Sequence, residues 1–199
     1  PHIATSLNNI GLVYANKGDY NKALRYFEKS NEIYQNVYTN NPNHSYIATS
    51  LNNIGWVINK KCDYNKALEY LERSYKIRQN IHADYNPNHP DIAISLNCIG
   101  VVYYEKADYK KALEYLEKSY EIRKMVYSNN LNHPDIASSL FNIGNIYNIK
   151  GDFKKALEYL EKSYQIRLIV YADNPNHCDI ASSLNNIGNV HNHWQQLNM

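Results

Sequence analysis

The sequence shows no excess of charge of either sign. It has 21 Lys and Arg against 19 Asp and Glu, a formal net charge of +2. A balance this close gives no basic surface for a nucleic acid or an anionic membrane, so neither is expected as a partner. Long apolar runs are also missing, and nothing approaches the roughly 20 residues that span a bilayer. No targeting segment is visible. Cysteine is scarce, at three residues. Cys62, Cys98 and Cys178 have no close spacing, which excludes a disulfide framework and a zinc site built from short-spaced pairs. A reducing, cytoplasmic setting is the expectation. No grouping of nucleophile, base and orienting acid stands out from the rest, and no Gly-rich loop opens a helix to cradle a phosphate. Neither catalysis nor a cofactor is expected.

What the sequence does have is repetition. "SLNNIG" at Ser6–Gly11 returns at Ser50–Gly55 and Ser183–Gly188, with the variants "SLNCIG" at Ser95–Gly100 and "SLFNIG" at Ser139–Gly144. The leucines Leu7, Leu51, Leu96, Leu140 and Leu184 are 44, 45, 44 and 44 residues apart. Such a period signals stacked repeats, each packed on its neighbours. The repeats fall at about 1–44, 45–89, 90–133 and 134–177, followed by a terminal helix over 178–199. The one longer step adds its residue between His82 and His89, as a surface loop tolerates. The chain opens at Pro1 inside a repeat and is read as a piece of a longer protein.

Residues 132–171 show how one repeat folds. Pro134 suits a first helical turn and Asp135 the positive end of its dipole. Ile136, Leu140, Ile143 and Tyr147 then form one helical stripe. Gly151 can take a left-handed stop, and Asp152 can cap the next helix. That helix carries Phe153, Ala156, Leu157, Leu160, Ser163, Ile166 and Val170 inward, with Glu158 and Lys162 paired on its wet face. The spacing predicts helices near Ile3–Lys17, Tyr20–Tyr38, Ile47–Lys61, Tyr64–His82, Asp91–Lys106, Tyr109–Tyr127, Asp135–Lys150, Phe153–Tyr171 and Asp179–Trp194, and no strand. The mid-helix glycines Gly11, Gly55, Gly100, Gly144 and Gly188 each cost about 1 kcal/mol in helix propensity. They are read as packing notches, since Ala23, Ala67, Ala112 and Ala156 follow the first four by 12 residues. His44, His89, His133 and His177, one per repeat ahead of the first helix, are read as structural caps, and His191 and His193 are given no metal role.

The series Leu7, Ile10, Gly11, Tyr14, Ala23, Phe27 and Ser30, with its equivalents through Leu140, Ile143, Gly144, Tyr147, Ala156, Leu160 and Ser163, resembles the tetratricopeptide repeat (TPR). Together with "NHPDIA", it is most similar to the lengthened repeats of kinesin light chains and nephrocystin-type proteins. The usual period is 34 residues, and the closing proline of the pattern is missing here. The resemblance implies an all-α, right-handed solenoid of four helical hairpins plus one terminal helix, whose first helices line a concave groove. It also implies a non-enzymatic scaffold that binds an extended peptide or partner surface. A kinesin-light-chain-like cargo adaptor, or a docking module of a larger enzyme or NTPase, is the alternative.

Asparagine is unusually frequent, at 30 residues. An amide side chain both donates and accepts, so it can pair with a peptide backbone of any sequence. By the resemblance, the groove residues are Asn8, Asn52, Asn53, Trp56, Lys60, Asn97, Tyr104, Phe141, Asn142, Asn145 and Asn185. The competing reading is that the amides tie neighbouring helices together or merely face water, and that the aromatics pack within the array. Self-association through the terminal repeats is a further expectation.

Overall fold

The computed structural model describes residues 1–83 and 86–197. Among these, nine helices and no strand occur: α1 (His2–Asn16), α2 (Tyr20–Val37), α3 (Ser45–Lys60), α4 (Tyr64–His82), α5 (Pro90–Glu105), α6 (Tyr109–Val126), α7 (Pro134–Ile149), α8 (Phe153–Val170) and α9 (Cys178–Leu197). Every helix expected from periodicity is present, displaced by a residue or two at most of its ends, where terminal turns fray. α9 runs three residues further than expected. The chain divides into two compact units, residues 1–108 and 109–199. In the first, α1 pairs with α2 and α3 with α4, and α5 packs on α4 and α3. In the second, α7 pairs with α8, α6 packs on α7, and α9 packs on α8 and α7.

Each hairpin turn follows from its local sequence. Gly18 and Gly151 adopt φ +77°, and Cys62 and Ala107 hold the same left-handed position at φ 64° and 60°. The carboxylates of Asp19, Asp63 and Asp152 then accept from the backbone N–H of Lys22, Lys66 and Lys155 at 3.1–3.3 Å. That contact satisfies one of the donors a helix start leaves unpaired.

The recurring histidines cap the first helices. Nδ1 of His44, His89, His133 and His177 accepts from the N–H two residues on at 3.1–3.2 Å. Each ring also stacks, at 3.5–3.6 Å between centroids, on the residue that closes the preceding second helix: Tyr38, His82, Tyr127 and Tyr171. One side chain thus fixes both the end of one hairpin and the start of the next.

The glycines are notches, though not against alanine alone. A methyl group at Gly11 would lie 2.6 Å from the Phe27 ring, at Gly55 2.7 Å from Leu71 Cγ, and at Gly144 2.8 Å from Leu160 Cγ. The knob is the large residue four beyond the alanine, and the alanine lets it approach. Serine three further on does more than stay small. Ser30, Ser74 and Ser163 donate to the carbonyls of Ala4, Ala48 and Ala137, each at 2.7 Å and buried.

A set of buried arginines was absent from the expected stripe. Arg78, Arg123 and Arg167 are 5%, 6% and 6% exposed. They occupy the turn after the serine, between the positions assigned to Ile166 and Val170, which are only half-buried. Nη1 of each donates at 2.7–2.9 Å to a first-turn carbonyl of the next first helix and to a buried serine: Asp91 and Ser95, Asp135 and Ser139, Asp179 and Ser183. Burial pushes the Arg78 and Arg167 guanidinium groups below their ordinary value, with the nearby Asp91 and Asp179 charges opposing the shift. The signal was present in sequence as a charged residue in register four after each serine. In the first repeat Tyr34 stands there, buried, its hydroxyl 2.9 Å from Thr5 Oγ1.

Candidate peptide-binding face

The hexapeptide places its asparagines on the first helices, α1, α3, α5, α7 and α9. These helices carry almost no charge. Lys60, Asp91, Glu105, Asp135 and Asp179 are their only Lys, Arg, Asp or Glu residues, and all five sit in a first or last turn. The second helices instead hold exposed ion pairs such as Lys118–Glu114 and Lys162–Glu158, both at 2.8 Å. Hydrogen bonding by the lysine lowers the Glu114 and Glu158 carboxyls below their ordinary values.

Amides meet across neighbouring first helices. Asn53 Nδ2 donates to Asn8 Oδ1 at 2.9 Å, and Asn186 Nδ2 donates to Asn145 Oδ1 at 2.7 Å. These bonds tie α1 to α3 and α7 to α9, and all four residues remain half-buried. Each amide has two donor hydrogens and an oxygen with two lone pairs, so one such bond leaves capacity for a ligand. Asn97 and Asn142 are also half-buried, and Asn185 is exposed. Asn52 is different. It is 8% exposed, and its Oδ1 is buried without a hydrogen bond.

The three aromatics, Trp56, Tyr104 and Phe141, are all half-buried. Trp56 lies edge-on to Tyr20 at 6.2 Å, with exposed Lys60 Nζ 5.9 Å from its ring centroid. Phe141 packs against the buried cluster of Ala156, Leu160 and Val190, and the Arg167 guanidinium lies 4.4 Å from its ring centroid. The face is therefore neutral and amide-rich, with aromatic rings seated partly in the core.

Sequence reasoning singled out neither Asn59 nor Asn148, one turn beyond Trp56 and its equivalent Asn145. Asn59 is 5% exposed, and its Oδ1 is buried without a partner. Asn148 Oδ1 lies 3.2 Å from His193 Nδ1. The first repeat has Ala15 at this position and the third has Tyr104. That variation hid the two asparagines from a search for repeats, although Tyr104 of the same position is among the expected groove residues.

Comparison with known proteins places this architecture. A tetratricopeptide repeat family model matches residues 2–80 and 80–125, and a second TPR model matches residues 137–168. The chain belongs to the tetratricopeptide repeat family. No curated protein sequence matches it. Among solved structures, it is similar to a Podosopora anserina protein provisionally assigned as a kinesin light chain with nearly identical TPR-like repeats. The match to a variant of that protein has 19% identity and TM-score 0.75, covering 98% of this chain and 89% of that one. A second structure from the same organism matches with 20% identity and TM-score 0.73, over 96% and 87% of the two chains. BtubC (BKLC) from P. vanneervenii matches with 20% identity and TM-score 0.71, over 87% of this chain and 66% of that one. The TPR fold here is thus close to that of kinesin-light-chain-type repeats, and the chain is a protein-interaction repeat scaffold. No helix among the described residues is long and apolar enough to cross a membrane.

Proposed function

We propose that the first-helix face of each unit of this TPR protein holds an extended, mostly neutral peptide by its backbone. The observation that carries this reading is the confinement of charge. The first helices keep amides in their central turns and their few charges at their ends. A peptide bond offers one donor and one acceptor, which an amide side chain can meet without regard to sequence. In this reading the backbone contacts are Asn8, Asn53 and Asn97 in the first unit, with Trp56 and Tyr104 beside them for side chains, and Asn142, Asn145 and Asn185 in the second. Among the described residues of these helices Lys60 is the only Lys or Arg, and it already lies against Trp56. Among the described residues, the first helices hold no group of Lys or Arg that suits a cluster of carboxylates.

The test is a displayed library of extended peptides, followed by calorimetry on a selected binder. Asn53→Ala combined with Asn97→Ala weakens binding by about 1–2 kcal/mol, the scale of one or two hydrogen bonds, and leaves helicity unchanged. Unaltered affinity in that variant excludes the amide face. Within the same class, likeness to kinesin-light-chain-type repeats favours a cargo adaptor. Coiled-coil heptads elsewhere in a longer open reading frame would support that reading, and a P-loop or protease motif there would favour a docking module instead.

A further inference from the structure

The repeat pattern of the first-helix face breaks between α3 and α5. By register with the hexapeptide, Trp56, Cys98 and Val101 stand where the second unit has Asn145, Asn186 and Asn189. In the second unit polar contacts run between α7 and α9: Asn186 to Asn145, and His193 Nδ1 at 3.2 Å from Asn148 Oδ1. In the first unit the equivalent space is a pocket of about 140 Å³, lined by Trp56, Asn59, Leu71, Cys98, Val101 and Val102 together with Asn97.

Asn59 is the register equivalent of Asn148 and lines this pocket. Its Oδ1 is buried and accepts no hydrogen bond. The register equivalent of His193 is Glu105, and an ionised carboxylate has no hydrogen to give. The second unit thus sets a ring nitrogen against this amide oxygen, a donor to it in the tautomer with Nδ1 protonated, and Glu105 in the first cannot take that part. A buried acceptor without a donor is costly, and a ligand that brings one recovers that cost.

We propose that this pocket receives a phenol-type side chain, a tyrosine of the bound peptide, whose hydroxyl donates to Asn59 Oδ1 once the amide turns toward the incoming ring. The size matches one six-membered ring, since a cavity of about 150 Å³ holds benzene. The walls formed by Trp56, Leu71, Val101 and Val102 suit the ring's faces and edge, and the single orphaned acceptor suits its single hydroxyl. The pocket rests on the reading of the first-helix face as the binding face, and gives that otherwise sequence-neutral face one point of specificity.

The experiment uses side-chain analogues, so it needs no peptide. p-Cresol, toluene, 3-methylindole and 4-methylimidazole are titrated into the whole chain, following the Trp56 indole and the Val101 and Val102 methyl signals by NMR. p-Cresol is expected to saturate these shifts and to bind about tenfold more tightly than toluene. Asn59→Leu, which keeps the shape and removes the acceptor, is expected to abolish that preference. Val101→Trp, which fills the pocket, is expected to abolish p-cresol shifts while circular dichroism stays unchanged. The proposal is overturned if p-cresol gives no saturable shift, if toluene binds as well in the wild-type chain, if 3-methylindole or 4-methylimidazole binds more tightly, or if the preference survives in Asn59→Leu. Library peptides that depend on Asn53 and Asn97 while p-cresol fails to bind overturn the pocket alone. Saturable p-cresol binding with no selectable peptide supports the pocket and overturns the peptide reading.

Discussion

Five glycines at one repeat position do different work depending on what faces them. At Gly55 an added methyl would press on Leu71 at 2.7 Å and on the Ala67 carbonyl at 3.1 Å. Gly188 has nothing within 4 Å of the same point. Gly55→Ala is therefore expected to destabilise by about 1–3 kcal/mol through overpacking. Gly188→Ala is expected to stabilise by up to about 1 kcal/mol, because only the helix-propensity term remains. Denaturant melts of the two variants check this, and shifts of equal sign would show that the notch is not what holds the glycine in place. A second residue-scale effect belongs to His82, which takes the stacking position that tyrosine holds in the sister repeats. Desolvation first, and then the neighbouring His89, push its imidazole below the ordinary value, with Asp91 opposing. A depressed histidine is favoured neutral in the folded state. Its contribution is fully present above the unfolded value of about 6.5 and is lost as pH falls through the lower folded value. Melting temperature is expected to fall more between pH 7.5 and 5 for the wild-type chain than for His82→Tyr, and identical slopes would refute the assignment.

At the scale of the element, the helices were legible because each carries a single strong signal. Apolar spacing gave their existence and type, and Asp after a left-handed residue gave the starts of α2, α4 and α8. The left-handed stop was legible too, even where Cys62 and Ala107 replace glycine, since the repeats align there. The arginines escaped because a charge on an apolar stripe was read through its aliphatic neighbours. Only the fold shows a guanidinium reaching the first-turn carbonyl and serine of the next helix. The asparagines mark the opposite limit. Their register was plain, but whether an amide faces another amide, the core or the surface depends on the neighbouring helix, and Asn8, Asn52 and Asn185 take three different fates. Burial also differs sharply among the first helices. Ten residues of α3 are buried, whereas α1 buries only Ala4, Gly11 and Ala15. In α9 Leu184 is 50% exposed, while its equivalents Leu51, Leu96 and Leu140 are 0–3% exposed. Amide hydrogen exchange is expected to be faster in α1 and α9 than in α3 and α7, since local opening follows the loss of buried contacts. Uniform protection across the four helices would contradict that ordering.

For the molecule as a whole, charge and neutrality are sorted by helix type. First helices are amide-rich and nearly uncharged along their central turns, while second helices carry the ion pairs that keep a repeat protein wet. A peptide held on the first helices forms few ion pairs, and salt has little to screen. A peptide held on the second helices pairs with lysines and glutamates, and its affinity depends on ionic strength. The direct measurement is the dissociation constant of a library-selected peptide across a salt titration. The account predicts a change of less than about threefold between about 50 mM and about 500 mM salt, at a screening length falling from over 10 Å to under 5 Å. A loss of tenfold or more over that range would place the ligand on the charged helices and contradict the neutral face.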